Sequence, residues 1–179
     1  MFMKPKIIST ESIYKGKIFD VSLAQIREGE IEYEREIVSH DGSAVIVPVF
    51  ADQTVALVRQ YRHPAGKYLW EIPAGSLETG ENPETGARRE LAEEVGATAG
   101  RLELLSEFYV SPGFLSEKMF VFLATDLTET AQNLEDDELI ELEKFTFERA
   151  FEMIRSNEIE DAKTIVGLVL AGAKIGFSV

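Results

Sequence analysis

The stretch that most constrains this chain runs from Gly75 to Ala97, GSLETGENPETGARRELAEEVGA, where a glycine-punctuated turn leads into a helix loaded with carboxylates. The helix carries its own boundary signals. Asn82 suits the N-cap, Pro83 the first helical position, Glu84 the positive end of the helix dipole, and Gly96 the C-terminal stop. At about 100° of turn per residue, Glu93 and Glu94 fall on either side of Glu90, while Ala87, Leu91 and Val95 form an adjoining apolar stripe. Like charges three or four residues apart cost a helix roughly 0.2–0.5 kcal/mol per pair, so folding alone gives no reason to gather them beside the core. A solvated acidic face is the plain alternative. A bound divalent cation supplies a reason: oxygen-only donors suit hard Mg²⁺ or Mn²⁺, and Arg89, one turn before Glu93, is placed to hold a carboxylate.

Spacing decides between these readings. From Gly75, five residues lead to Glu81 and seven more to Arg89-Glu90; then come Leu91, one residue, Glu93-Glu94, one residue, Gly96 and Ala97. This resembles the Nudix box at every position but the last, where the family prefers a bulkier aliphatic residue than Ala97. The resemblance implies an α/β fold, a Nudix-type α/β/α sandwich with a mixed central sheet. It also implies divalent metal on Glu90, Glu93 and Glu94, and hydrolysis of a nucleoside diphosphate linked to another group. In that family the residue equivalent to Ala74 turns its main-chain carbonyl toward the cation. Glu78 is a further carboxylate for metal or substrate, and Glu93 doubles as a catalytic candidate.

Upstream, KIISTESIY, KIFDVSLAQIR and IEYEREIVSH read as partly alternating strands of a small antiparallel sheet, too small to stand alone. The expected organisation is therefore N-terminal strands over 1–42 and a catalytic domain over 43–179. Similarity to the ADP-ribose pyrophosphatase branch of the family implies that these strands pair across a homodimer. It also implies that Arg35 and Glu36 meet substrate, from the partner subunit; an exposed ion pair is the alternative. Two apolar runs, 44–50 and 54–61, read as buried central strands joined by a hairpin connection at Ala51-Asp52-Gln53. The second ends in a basic cluster around Arg59 and Arg62, and an arginine fork there suits paired phosphate oxygens. By the resemblance, Arg62 contacts the diphosphate or the adjoining ribose. Residues 68–78 read as one strand entering the box, with Trp70 either core or stacked on a ligand and Glu71 a substrate contact. His40 reads as structural.

Beyond the helix, strands at 102–110 and 118–126 are joined by SPGFLSE, a longer loop than a turn requires. It resembles the loop of the ADP-ribose pyrophosphatase subgroup, with Pro112, Phe114 and Glu117 as substrate contacts, and the GDP-mannose hydrolases carry a related one. Phosphoanhydride hydrolysis also needs a base to orient and deprotonate water. Glu135, Asp136 and Glu138 in the acidic run NLEDDEL all fit that role by position. Two helices, 147–155 and 161–174, complete the pattern; the DAKT opening of the second resembles the same subfamily and reads as structural.

Charge narrows the partners. With 32 acids against 18 bases, a net −14, the surface repels nucleic-acid backbones and anionic membranes and suits a small substrate bridged by cations, which the resemblance makes a nucleotide sugar. Solubility is the plain alternative, and charge alone favours neither. No run reaches the roughly 18 apolar residues of a membrane helix, the start lacks a leader-like apolar run, and the absence of cysteine is compatible with the cytoplasm. The expected reaction is ADP-ribose plus water giving AMP and ribose 5-phosphate. The alternatives are GDP-mannose or another nucleotide sugar as substrate, and a nucleotide-sugar sensor without turnover.

Overall fold

The apolar run at 43–48 shows how the layers are made. In β4 (Ser43–Pro48) Val45 and Val47 point into one core and Ala44 and Ile46 into another, all four without solvent exposure. A strand covered on both faces needs no polar alternation, which is why this segment is continuous in sequence. The same two-sided packing recurs in β5 (Thr54–Arg62) and β9 (Lys118–Glu129), where Val121 and Leu123 share the first core and Phe122 and Ala124 the second. The structure, a computed structural model, describes residues 4–134 and 138–177.

The mixed sheet has the order β7-β4-β9-β8, with β4 and β9 parallel, β7 (Ala74–Ser76) antiparallel to β4, and β8 (Ala97–Tyr109) antiparallel to β9. Beside it lies an antiparallel sheet of β10 (Glu141–Thr146), β5 and β6 (Lys67–Glu71). Helix α1 (Pro83–Glu90) covers the second core through Ala87. Helices α2 (Phe147–Arg155) and α3 (Ala162–Ile175) cover the first through Phe147, Phe151 and Leu168. The result is the expected sandwich. Among the described residues, no helix is long and apolar enough to cross a membrane.

Two connections differ from expectation. The segment 68–78 is not one strand: it breaks at Ile72-Pro73, so that β6 pairs with β5 and β7 with β4. Proline has no N–H for a ladder, and the Pro73 carbonyl instead accepts from Ile46 N–H at 2.9 Å. Residues 51–53 do make a hairpin turn, through Gln53 at φ 65°, with Phe50 N–H donating to the Thr54 carbonyl at 2.9 Å beside an antiparallel Val49–Val55 bridge, but beyond it β4 and β5 diverge into separate sheets.

The N-terminal sheet is β1 (Lys6–Lys15), β2 (Asp20–Glu28) and β3 (Ile31–Ser39), in that order and antiparallel. Strand β1 is exposed throughout, and Ile7, Ile13, Ile18 and Ile31 are each more than half exposed. Strand β3 is tied to the loop before β9: Val38 N–H donates to the Phe114 carbonyl at 2.8 Å, and Ser116 N–H to the Val38 carbonyl at 2.9 Å.

Candidate active site

The carboxylate helix starts as its sequence dictates: the Asn82 side chain accepts from Glu84 N–H at 2.9 Å and Pro83 follows. It does not end as a regular α-helix. Leu91–Val95 form a π-helical turn closed by Gly96 at φ 65°, whose N–H reaches back to Leu91. The widened turn exposes carbonyls that the segment before the acidic loop satisfies. Asn133 N–H donates to the Glu93 carbonyl at 3.1 Å, and Gln132 Nε2 to that of Glu94 at 2.5 Å.

Arg89 organises the acids. Its Nη1 contacts Glu90 at 2.6 Å and Glu93 at 3.1 Å, and its Nη2 contacts Glu81 at 3.2 Å. Those bonds hold Glu81 below the ordinary carboxylate range. Glu90 and Glu94, by contrast, are almost wholly buried. Burial pushes both pKa values up, and Glu94, with Glu90 and Glu138 adding like charge, reaches about 8; the Ala74 N–H at 3.2 Å offsets only part of this. Gly75 makes room for the arrangement, since a Cβ there would lie 1.8 Å from Glu90 Oε1.

This donor set fits a hard divalent cation. Two buried acids that resist ionisation beside one another are relieved by positive charge, and every available donor is oxygen. Among the described residues no three acidic or histidine side chains yet converge on one point. Arg89 spans Glu90 and Glu93, and Glu94 faces the Ala74 amide rather than its carbonyl, so ligation requires these side chains to turn from those partners.

A cavity of about 300 Å³ opens beside Glu94 and is also lined by Arg62, Ala74, Glu117, Glu138 and Lys163. Five of the expected residues thus share one hollow. Glu117 accepts from Ser43 Oγ at 2.6 Å. Glu71, read from sequence as a substrate contact, stands elsewhere: it is 1% exposed, and its two oxygens take Arg62 Nε and Nη2, each at 2.8 Å, together with Lys163 Nζ. Burial raises its pKa, but the cations outweigh burial and leave it lowered. Arg35, Glu36, Pro112 and Phe114 line a second hollow of about 380 Å³ between β3 and the loop, apart from the carboxylates. Glu78 is exposed on the turn before α1, its N–H bonded to Glu81. Glu135 and Asp136 lie outside the described residues.

Residues 40–166 match the NUDIX domain. The chain belongs to the Nudix family. It is 40% identical to the ADP-ribose pyrophosphatase of Bacillus subtilis (strain 168) over 166 residues, 90% of this chain and 89% of that protein. It is 35% identical to the methanol dehydrogenase activator of Bacillus methanolicus over 167 residues, 91% and 90% of the two chains. Its fold superposes on the crystal structure of an ADP compounds hydrolase with a TM-score of 0.85 at 22% identity, covering 98% of this chain and 96% of the other.

Within this Nudix chain, sequence reasoning passed over Lys163 and Ser43. Lys163 lies 92 residues from Glu71, and only the docking of α3 beside β6 brings the two together. The signal was present in the DAKT opening, read from sequence as structural; Asp161 does have a structural role there, capping α3 by accepting from Thr164 N–H at 2.9 Å. Trp70 is half-buried, packed against the first core and edge-on to Phe145 with ring centroids 5.1 Å apart.

Proposed function

We propose that this Nudix protein hydrolyses the diphosphate linkage of ADP-ribose, with Mg²⁺ or Mn²⁺, to AMP and ribose 5-phosphate. The observation that carries the reading is the cavity at Glu94, where that buried, hard-to-ionise acid shares one hollow with Arg62 and Lys163. Such a hollow suits a diphosphate that bridges cations on one side and guanidinium on the other. Glu90, Glu93, Glu94 and the Ala74 carbonyl would hold the ions, with Glu78 as a reserve carboxylate. When bound, the ions neutralise the diphosphate and lower the pKa of bound water. Glu138 lines the cavity and is the described candidate to orient an attacking water and take its proton; Glu135 and Asp136 are its neighbours in sequence. Arg62 binds phosphate oxygens, and Glu117 orients the sugar or an ion.

The choice of ADP-ribose draws on the Bacillus subtilis relative's name and on the SPGF loop. A relative with an activator's name belongs to the same family, so family membership alone does not give the substrate. We infer further that residues 1–42 pair with a second copy, burying the exposed isoleucines of the N-terminal sheet. That pairing lets Arg35 and Glu36 of one copy, with Pro112 and Phe114, close over the nucleotide of the other. The enzyme then works as a cytoplasmic homodimer.

The test is a product-resolved assay in ¹⁸O-labelled water with ADP-ribose, GDP-mannose and NADH in excess Mg²⁺. ADP-ribose should be cleaved fastest, and Glu94→Gln, folded as wild type, should lose at least about a hundredfold in rate. Faster cleavage of GDP-mannose would replace the substrate. Binding without hydrolysis would make the protein a sensor, and full activity in Glu94→Gln would remove the acid cluster from the chemistry.

A further inference from the structure

A helix ends on carbonyls that it cannot satisfy by itself. In the box helix Gly96 N–H closes one of them, that of Leu91. The carbonyls of Glu93, Glu94 and Gly96 are met from outside by a single short segment, residues 130–133, where the chain leaves β9. Thr130 N–H donates to Gly96 at 2.6 Å, Asn133 N–H to Glu93 at 3.1 Å, and Gln132 Nε2 to Glu94 at 2.5 Å. The segment lies tight against the turn: a Cβ on Gly96 would stand 2.7 Å from Gln132 N and 2.8 Å from the Thr130 carbonyl oxygen. The Gln132 bond differs in kind from the other two, which are made by main chain. Residue 132 is exposed, so its side-chain amide has water available as a partner, and it turns back to the Glu94 carbonyl instead.

The residues held in this way are two of the three acids of the cluster. Their side chains face partners that they must leave to meet a cation, Arg89 for Glu93 and the Ala74 N–H for Glu94. When ligand side chains have to turn, what a fold can set in advance is the main chain they turn from. A π-helical turn is an irregular piece of helix, found mostly as single turns at functional sites, and bonds to its carbonyls from outside favour it over relaxation to an α-turn. We propose that Gln132 is a positioning residue, which holds the Glu93–Glu94 main chain in the π register from which those side chains reach a divalent cation. This deepens the hydrolase reading and rests on it for the metal. Gln132 is not among the residues lining the cavity and acts through Glu94.

Manganese binding, read from the electron paramagnetic resonance of free Mn²⁺, tests this without turnover. Gln132→Met keeps the length of the side chain and loses the donor. It should bind Mn²⁺ about fivefold more weakly, the loss expected for one neutral hydrogen bond. Half-maximal activation of ADP-ribose cleavage should need about fivefold more Mg²⁺, while KM for ADP-ribose at saturating Mg²⁺ stays within about twofold of wild type. A helix cap with no bearing on the site would lower stability and leave both metal readouts where they are. Should Gln132→Met not fold, the side-chain ¹H–¹⁵N signals of Gln132 in the wild-type protein should shift on titration with Mg²⁺, whereas those of Gln53, on the turn between β4 and β5, should not. Unchanged Mn²⁺ affinity in folded Gln132→Met, or unmoved Gln132 signals, overturns the proposal. Weaker Mn²⁺ binding by Gln132→Met, in a protein whose wild type cleaves no nucleotide sugar, keeps the positioning role and overturns the hydrolase reading.

Discussion

Replacing Glu71 with glutamine removes one negative charge and almost no volume, which makes Glu71→Gln a direct probe of the buried ion cluster. Removing one partner from a buried pair typically costs about 3–5 kcal/mol, because the remaining charge is stranded. The two cations differ in what they lose. The Arg62 side chain is 40% exposed and regains water, whereas Lys163 at 11% does not. That argues for the lower end, about 3 kcal/mol, which for a domain of this size lowers Tm by about 6–12 °C. The pH dependence has a fixed sign. Because the cations depress the folded pKa of Glu71, its stabilisation is complete above the unfolded carboxylate value and is lost as pH falls through the folded one. The gap between wild type and Glu71→Gln should therefore hold from neutral pH to about 5 and close in stronger acid. Urea unfolding at fixed protein concentration, read by fluorescence of the single tryptophan, Trp70, follows this directly. A variant within about 0.5 kcal/mol of wild type at pH 7, or a gap that widens in acid, would refute the reasoning.

Gly75→Ala should fold but lose about a hundredfold in turnover, since its methyl group would displace the Glu90 carboxylate 1.8 Å away; a steady-state assay beside a circular dichroism spectrum checks both halves, and retained activity would show that Glu90 can stand elsewhere. Gly167→Ala should lower stability by about 1 kcal/mol: the added Cβ meets Ile72 Cδ1 at 2.4 Å in the first core, and overpacking outweighs the gain in helix propensity. A higher urea midpoint would mean that Ile72 repacks freely.

Much of the scaffold was legible because it is written in local apolar patterning. The runs at 44–50 and 54–61 are apolar on both faces because α1 covers one side of the sandwich and α2 and α3 the other. The box was legible for a different reason: its glycines and acids meet within one turn and one helix, so spacing alone reports their geometry. What sequence did not reveal depends on docking between distant segments. The π-helical turn at 91–95 is completed by carbonyl bonds from Gln132 and Asn133, and no propensity within the helix announces them. Glu71 illustrates the same limit at the site. As a carboxylate near the turn it resembles a ligand contact, yet Lys163, 92 residues on, and Arg62 enclose it and hold its pKa down. Glu94 is buried to a similar degree with its pKa pushed up to about 8. The fold thus sorts two acids of the same type and similar burial by the charge around them. Glu71 has its cations built in and anchors the basic side of the cavity; Glu94 has none adequate and is left to attract one from solution. A hydrolase of diphosphates needs both conditions in one hollow, because its substrate must be held by fixed positive charge while its reacting bond is exposed to ions that come and go.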